Sequence, residues 1–321
     1  MIWLAWRQFR LSAVTTTALV LVSAIVLAKT GIDIARLAHA EGAGSCAPPA
    51  CFADSFTRRY RVLQHAHDAL LVMPALIGVF WGAPAGARDL ETGDYRLPWT
   101  QSISRRRWLA TTIVVLAGVT IAVTAVATLG LTWWYRPFAQ VSGHRFAGTT
   151  FAETGIVPVA YSVFALAAGV LAGVAIRRTV PAMLVTLCAF ATVRFAVTEL
   201  RPHFMAPVRA IVATGSDVGL GQNDWLYSTS YVDRAGRPVV PDFVCSIPPD
   251  KMVHATGALA QAQNKQCNAE SLHYYAQLRT LVTYQPAHRY WAFQFIEAGI
   301  FAGAAIALAA TAVWLIRRVL T

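Results

Sequence analysis

One twenty-residue stretch holds the side chains best suited to engage a partner. Arg88, Asp89, Glu91, Gly93, Arg96, Trp99, Thr100, Gln101, Ser102, Arg105 and Arg107 all fall within 88–107. Acidic residues come first, Gly93 stands where a turn is expected, and Arg105-Arg106-Arg107-Trp108 leads into an apolar run. Such a stretch offers both signs of charge to another protein and carries no group poised to break a bond. Membrane anchoring by positive charge explains the three consecutive arginines. It does not explain Asp89, Glu91 or Trp99-Thr100-Gln101-Ser102.

Three further charges, Arg194, Glu199 and Glu297, lie inside apolar runs, where a charge is costly and normally faces a partner or a wet cavity. At 1.5 Å per residue, Arg194 and Glu297 sit roughly 9–11 Å below the same membrane surface, so they can pair. One reading makes them part of a translocation path or its outer gate. The other is a structural ion pair fixing two helices, with Glu199 reaching the interface.

Catalytic chemistry finds no footing. His65-x-His67-Asp68 has the composition of part of a metal site, but residues two apart do not share a helical face, and no metal site is assigned. No H-E-x-x-H, G-x-S-x-G or G-x-G-x-x-G run occurs. The one Lys-Thr pair, Lys29-Thr30, follows Ala28 instead of the glycine that a phosphate-binding loop requires. No catalytic residue and no bound cofactor are expected, and any ATP must be held by another chain.

The elements that position these residues follow from composition. Of 321 residues, 56% are hydrophobic and 13% charged, and the mean hydropathy is +0.48. A soluble domain carries about a quarter charged residues, and disorder needs the opposite balance. A net charge of +11 suggests nucleic acid as a partner. Here, however, the basic residues flank apolar runs, so the partner is the bilayer.

A span takes about 20 mostly apolar residues, and six runs qualify, at 11–28, 69–87, 108–134, 156–176, 180–200 and 290–316. With both termini on one side, the segments 1–10, 88–107, 177–179 and 317–321 hold 11 Lys/Arg in 38 residues. The other 150 residues outside the spans hold 15. The denser side should be cytoplasmic. Trp3, Trp6 and Phe9 recur at near-helical spacing beside Arg7 and Arg10, which predicts a helix lying in the headgroup region. The run at 11–28 is longer than a signal-peptide core, and Lys29, Asp33 and Arg36 precede Ala38-His39-Ala40. It therefore reads as a retained anchor.

The expected fold is thus an all-α polytopic plasma-membrane protein with six transmembrane helices. It divides into an interfacial helix at 1–10 and spans one to five over 11–200. That second region includes an external loop at 29–68 and a cytoplasmic loop at 88–107. A small α+β extracytoplasmic domain at 201–289 follows, and then span six and a cytoplasmic tail at 290–321. Cys46, Cys51, Cys245 and Cys267 all fall on the external side, two per segment, the pattern of disulfides in an oxidising compartment. Local pairs Cys46–Cys51 and Cys245–Cys267 are the simplest arrangement, and crossed bridges between the segments are the alternative. Cys188 reads as a small buried apolar residue. In 201–289, Tyr227–Val232 and Arg237–Val240 flanking Asp233-Arg234-Ala235-Gly236 predict a hairpin, and 250–265 and 269–283 predict helices. This domain is expected to pack on 29–68 as a lid, either gating substrate or capping the span ends.

The 88–107 stretch resembles the cytoplasmic segment between the second and third spans of type 2 ABC transporter permeases. It is most similar to an actinobacterial subgroup reading approximately E-x-G-T-x-R-L-x-W-T-Q-S-x-x-R-x-R-W. Glu91, Gly93, Arg96, Leu97, Trp99, Thr100, Gln101, Ser102, Arg105, Arg107 and Trp108 stand at the corresponding positions. The likeness continues at 155–161, 177–182 and 284–297. Asp94 departs from the usual Thr of that pattern, and Thr112 stands near a position where relatives often carry Lys. The resemblance implies two permease subunits, as a homodimer or with a close paralogue, and two ABC ATPase subunits that bind ATP and Mg2+. The 88–107 loop, including Arg88 and Asp89, would rest on the ATPase as the coupling element. Export of a small amphipathic cargo, such as a drug, antibiotic, lipid or peptide, is the implied activity. A membrane sensor or immunity protein without sustained transport is the alternative.

Overall fold

The computed structural model describes residues 29–33, 36, 69–92, 105–142, 145–146, 148–214, 219–221, 223–243, 245, 247 and 257–318. Two compact units are formed, Met205–Arg289 and a helical unit made of the described residues on either side of it. The expected interfacial helix at 1–10, the span at 11–28 and the Cys46–Cys51 pair lie outside the described residues, as does nearly all of the loop at 29–68.

In the helical unit, residues 29–33 and 36 are helical, and α1 runs without a break from the 3-10 turn Ala69–Val72 through Met73–Ile77 and the π-helical turn Gly78–Gly82 to Ala83–Thr92. Pro84 explains the change of register. A proline inside a helix lacks an N–H and clashes with the carbonyl four residues back. The chain widens by one residue just before it, so that Ala83 N–H reaches the Gly78 carbonyl. The helix then continues past the expected end of span two to Thr92, and Arg88, Asp89 and Glu91 therefore stand on a helix and not in a loop.

Further helices among the described residues are α2 Arg105–Ser142, the short α3 Gly148–Glu153, α4 Val157–Ile176, α5 Thr179–Leu200 and, after the second unit, one more long helix. Among the described residues, four stretches are long and apolar enough to cross a bilayer: Arg106–Trp134, Val157–Ile176, Thr179–His203 and Ala287–Ile316. They contain the expected spans three to six to within a residue. A 3-10 turn, Arg201–His203, extends α5 beyond Leu200.

Helix α4 is the hub. In its most apolar window 72% is buried, against 22% in each of the other three. It reaches this position because it is built of small residues. Gly78, Gly82 and Gly86 of α1 recur every four residues opposite Gly169 and Gly173 of α4. A β-carbon on Gly82 would come within 2.5 Å of the Leu166 carbonyl, and one on Gly173 within 2.5 Å of the Ala83 carbonyl. Only glycine permits this backbone approach, the usual means of association where lipid removes the hydrophobic drive between helices.

Among its described residues, the second unit has a four-stranded antiparallel sheet and an α-helix. Strands β1 Val208–Ala213, β2 Trp225–Val232, β3 Pro238–Val239 and β4 Arg279–Gln285 are ordered β1-β4-β2-β3, and α6 Gly257–Ala276 precedes β4. The β2–β3 turn forms where Asp233-Arg234-Ala235-Gly236 predicts it. Ala235 and Arg237 both donate their N–H groups to Asp233 Oδ1 at 2.9 Å, and Gly236 takes a positive φ of 80°. The backbone bond from Arg237, followed by its side chain, holds the Asp233 carboxyl below its ordinary value.

One helix expectation is corrected. The region 269–283 is helical only to Ala276, and Arg279–Gln285 is a central strand, because Thr280, Val282, Thr283 and Tyr284 are β-branched or aromatic. Of the other expected helix, 250–256 lie outside the described residues, and the chain is helical from Gly257 onward. Cys245 and Cys267 form a disulfide, one of the two simple local pairs. Cys188 is exposed on α5 and not buried.

Candidate functional site

The final helix, α7 Tyr290–Arg318, carries a polar face at Tyr290, Gln294 and Glu297, spaced four and then three residues apart, so that all three share one side. Their partners come from α3, α4 and the end of α5. Glu297 is 0% exposed and Arg201 2%. Arg201 Nε donates to Glu297 Oε2 at 2.8 Å and Nη2 to Oε1 at 3.0 Å, the two-pronged geometry that suits guanidinium to carboxylate. The Tyr161 hydroxyl donates to Glu297 Oε1, and the Arg201 guanidinium lies 4.2 Å from the centre of the Phe151 ring.

The expected pairing of Arg194 with Glu297 does not form. Arg194 instead donates to the Leu71 carbonyl of α1 at 2.9 Å and lies 5.2 Å from the Tyr161 ring centre. Arg201 takes the carboxylate because the 3-10 turn after α5 keeps it level with Glu297. By hydropathy span five ends at Leu200, which would put Arg201 in the next domain. Glu199 is exposed on α5. Of the three intramembrane charges named from sequence, only Glu297 belongs to the buried network itself, with Arg194 at its margin.

Gln294, 0% exposed, completes the network. Its Oε1 accepts from the backbone N–H groups of Ile156 at 3.1 Å and Val157 at 3.2 Å. Its Nε2 donates to the Phe151 carbonyl at 3.1 Å and to the Tyr290 hydroxyl at 3.0 Å. The start of α4 has no cap from its own N-cap residue, so an amide on α7 supplies it. Gly155 makes room with φ of 75°, since a β-carbon there would lie 2.6 Å from Gln294 Oε1. Glu153, 3% exposed, lines with Tyr161 a cavity of about 20 Å3, enough for one water.

A second cross-helix cap lies at the opposite end of α4. Helix α5 starts after Arg178, which offers no side-chain cap. Glu91, one residue from the end of α1, fills the place: Thr179 donates to Glu91 Oε2 from its N–H at 3.0 Å and from its hydroxyl at 2.7 Å. An anion at a helix N-terminus is favoured by both the open N–H groups and the helix dipole. The Thr179 hydroxyl and amide, with Arg178 nearby, hold the Glu91 carboxyl below its ordinary value.

Of the other residues expected to couple to a partner, Arg88 is exposed on α1 and Arg107 on α2, where Arg105 also lies on the first turn. Gly93, Arg96, Trp99, Thr100, Gln101 and Ser102 lie outside the described residues. Sequence reading missed Arg201, Tyr161, Gln294 and Glu153. Gln294 and Glu297 at i and i+3 within one apolar run were the available signal for a polar helix face.

A family model described as ABC-2 membrane transporter related matches residues 17–201. The chain belongs to that family. Comparisons with curated proteins and with solved structures returned no match. Together with its apolar helices, membership makes this ABC-2-related protein an integral membrane protein and the permease subunit of an ABC transporter, not its nucleotide-binding part. An ABC ATPase is accordingly its implied partner. The residues brought together fit a mechanical role. Both caps and the Arg201–Glu297 pair fasten one helix to another, and none presents a nucleophile to a substrate.

Proposed function

We propose that this chain is the membrane subunit of an ATP-driven exporter that moves a hydrophobic or amphipathic compound out of the cell. Two such subunits, six spans in each, assemble with two ATPase subunits, and both termini face the cytoplasm. The observation that carries the mechanism is the bond between Glu91 and Thr179. It supports placing Glu91 and Thr179 at one side of the membrane, in keeping with the distribution of positive charge. It also means that a push on the start of the 88–107 segment moves α1 and α5 together. Closure of the ATPases on ATP displaces that segment, and the tilting helices exchange cytoplasmic for external access. Only a difference in ATP affinity between the two states can drive the exchange.

The test is ATP hydrolysis by the protein co-expressed with its ATPase in nanodiscs, against a variant with Arg96, Arg105 and Arg107 changed to Ala. Cargo-stimulated turnover that is lost in the variant is the expected result. A complex that forms and hydrolyses ATP without response to any amphipathic compound would point to a sensor. If no ATPase co-purifies, the coupling reading fails.

A further inference from the structure

Helices α2 and α7 leave an open groove of about 550 Å3 between them, away from the polar network. Its walls are regular. From α2 come Arg106, Ala110, Ile113 and Val114, and from α7 come Ile306, Ala310, Val313 and Trp314. Each set runs nine residues at helical spacing, so the groove is about 12 Å long, eight rises of 1.5 Å. A bilayer's hydrocarbon is about 30 Å thick, so the groove fits within one leaflet. Val114 is 69% exposed and Ile306 72%, which leaves the apolar floor open sideways. Arg106 is the one charged residue among those lining it, and it is exposed. It stands in the first turn of α2, next to Arg105 and Arg107 in sequence, and no acidic side chain is among the lining residues.

We infer that this groove is a binding site for one anionic phospholipid. One acyl chain lies along the Ala110–Val114 and Ile306–Val313 walls, and the phosphate meets Arg106. Two properties select this occupant. The apolar length matches one leaflet's chain and not a whole span, and a cation stands at one end where a headgroup would be. A helix from a second copy would need an apolar face across the full membrane and would leave Arg106 with nothing to answer its charge. Under the orientation proposed above the lipid belongs to the inner leaflet. The site shares no lining residue with the Glu91 cap or the Arg201–Glu297 pair, so it holds or fails independently of the coupling reading.

The full-length protein, with whatever subunits accompany it, is equilibrated in mild detergent with phosphatidylglycerol or phosphatidylcholine. Retained lipid is then counted by native mass spectrometry. The wild type should keep one phosphatidylglycerol per chain in about fivefold preference to phosphatidylcholine, the scale of one basic side chain near an anionic headgroup. R106A should lose the preference, and A310F, which fills the groove, should lose the lipid. R209A in the sheet unit should change neither. Equal retention of the two lipids by the wild type, or an R106A protein that keeps the preference, overturns the proposal. So does efficient cross-linking in membranes of V114C or I306C to a second copy or to a cysteine placed within 11–28, since protein would then cover the groove.

Discussion

Arg201 and Glu297 meet through two hydrogen bonds of 2.8 and 3.0 Å with both side chains withdrawn from solvent. A buried pair of this kind adds little over well-packed apolar groups, but removing one member strands the other as an uncompensated charge. Arg201→Met alone or Glu297→Leu alone should therefore lower stability by about 3–5 kcal/mol. The double variant should recover most of that loss. Thermal unfolding of the four proteins in one detergent gives the coupling energy directly, and additive losses would show that the pair is not isolated in this way.

Gln294 joins α7 to the start of α4 through four hydrogen bonds, so its truncation should exceed the cost of losing an ordinary helix cap. Gln294→Leu is expected to destabilise by about 2 kcal/mol or more, the upper end for cap removal. Gly155→Ala should act on the same bonds, because its β-carbon meets Gln294 Oε1 and its φ is positive. If the two losses are measured separately and then combined, the double variant should be little worse than the more damaging single one.

Much of this architecture was legible from hydropathy, because a long apolar helix has few ways to hide. The helices α2, α4, α5 and α7 occupy runs that composition alone marks out. What escaped was decided by partners remote in sequence. Arg201 looks external because it follows Leu200 at the end of an apolar run, and only the added 3-10 turn returns it to Glu297. The strand Arg279–Gln285 resembles a helix because Leu278 and Val282 fit a helical period, while its pairing with β1 and β2 depends on residues roughly fifty to seventy positions earlier. Glu91 stands out in the sequence by its charge in an expected loop, yet its action is on Thr179, 88 residues away.

Cys245 and Cys267 close a loop with a separation of 22 residues. A cross-link of that length stabilises by about 3 kcal/mol, chiefly by restricting the unfolded chain. Cys267→Ala should therefore lower the unfolding midpoint of the sheet unit and leave the helical unit unchanged. Limited proteolysis with and without reductant checks this, since cleavage should appear first within 205–289. Equal susceptibility in both conditions would show that the bridge does not hold this unit.

Glu91 offers a pH-dependent test of the linkage between α1 and α5. Its carboxyl lies below the ordinary value of 4.5 because the Thr179 hydroxyl and amide bond to the ionised form. A depressed carboxyl stabilises the fold above its unfolded value and loses that contribution as pH falls through the folded one. The amides of Thr179 and the next residues should therefore stay protected from hydrogen exchange, after correction for intrinsic rate, at pH above 4.5. They should lose protection only below it. Glu91→Gln keeps the shape but removes the charge, so protection should be weaker throughout and its pH step absent. Thr179→Ala retains the amide bond and loses the hydroxyl bond, so the step should shrink and move up toward the ordinary glutamate value. If ATP turnover in nanodiscs is coupled through this contact, both variants should hydrolyse ATP with reduced response to cargo. An unchanged response in Glu91→Gln would separate the cap, as a purely structural fastening, from the coupling path.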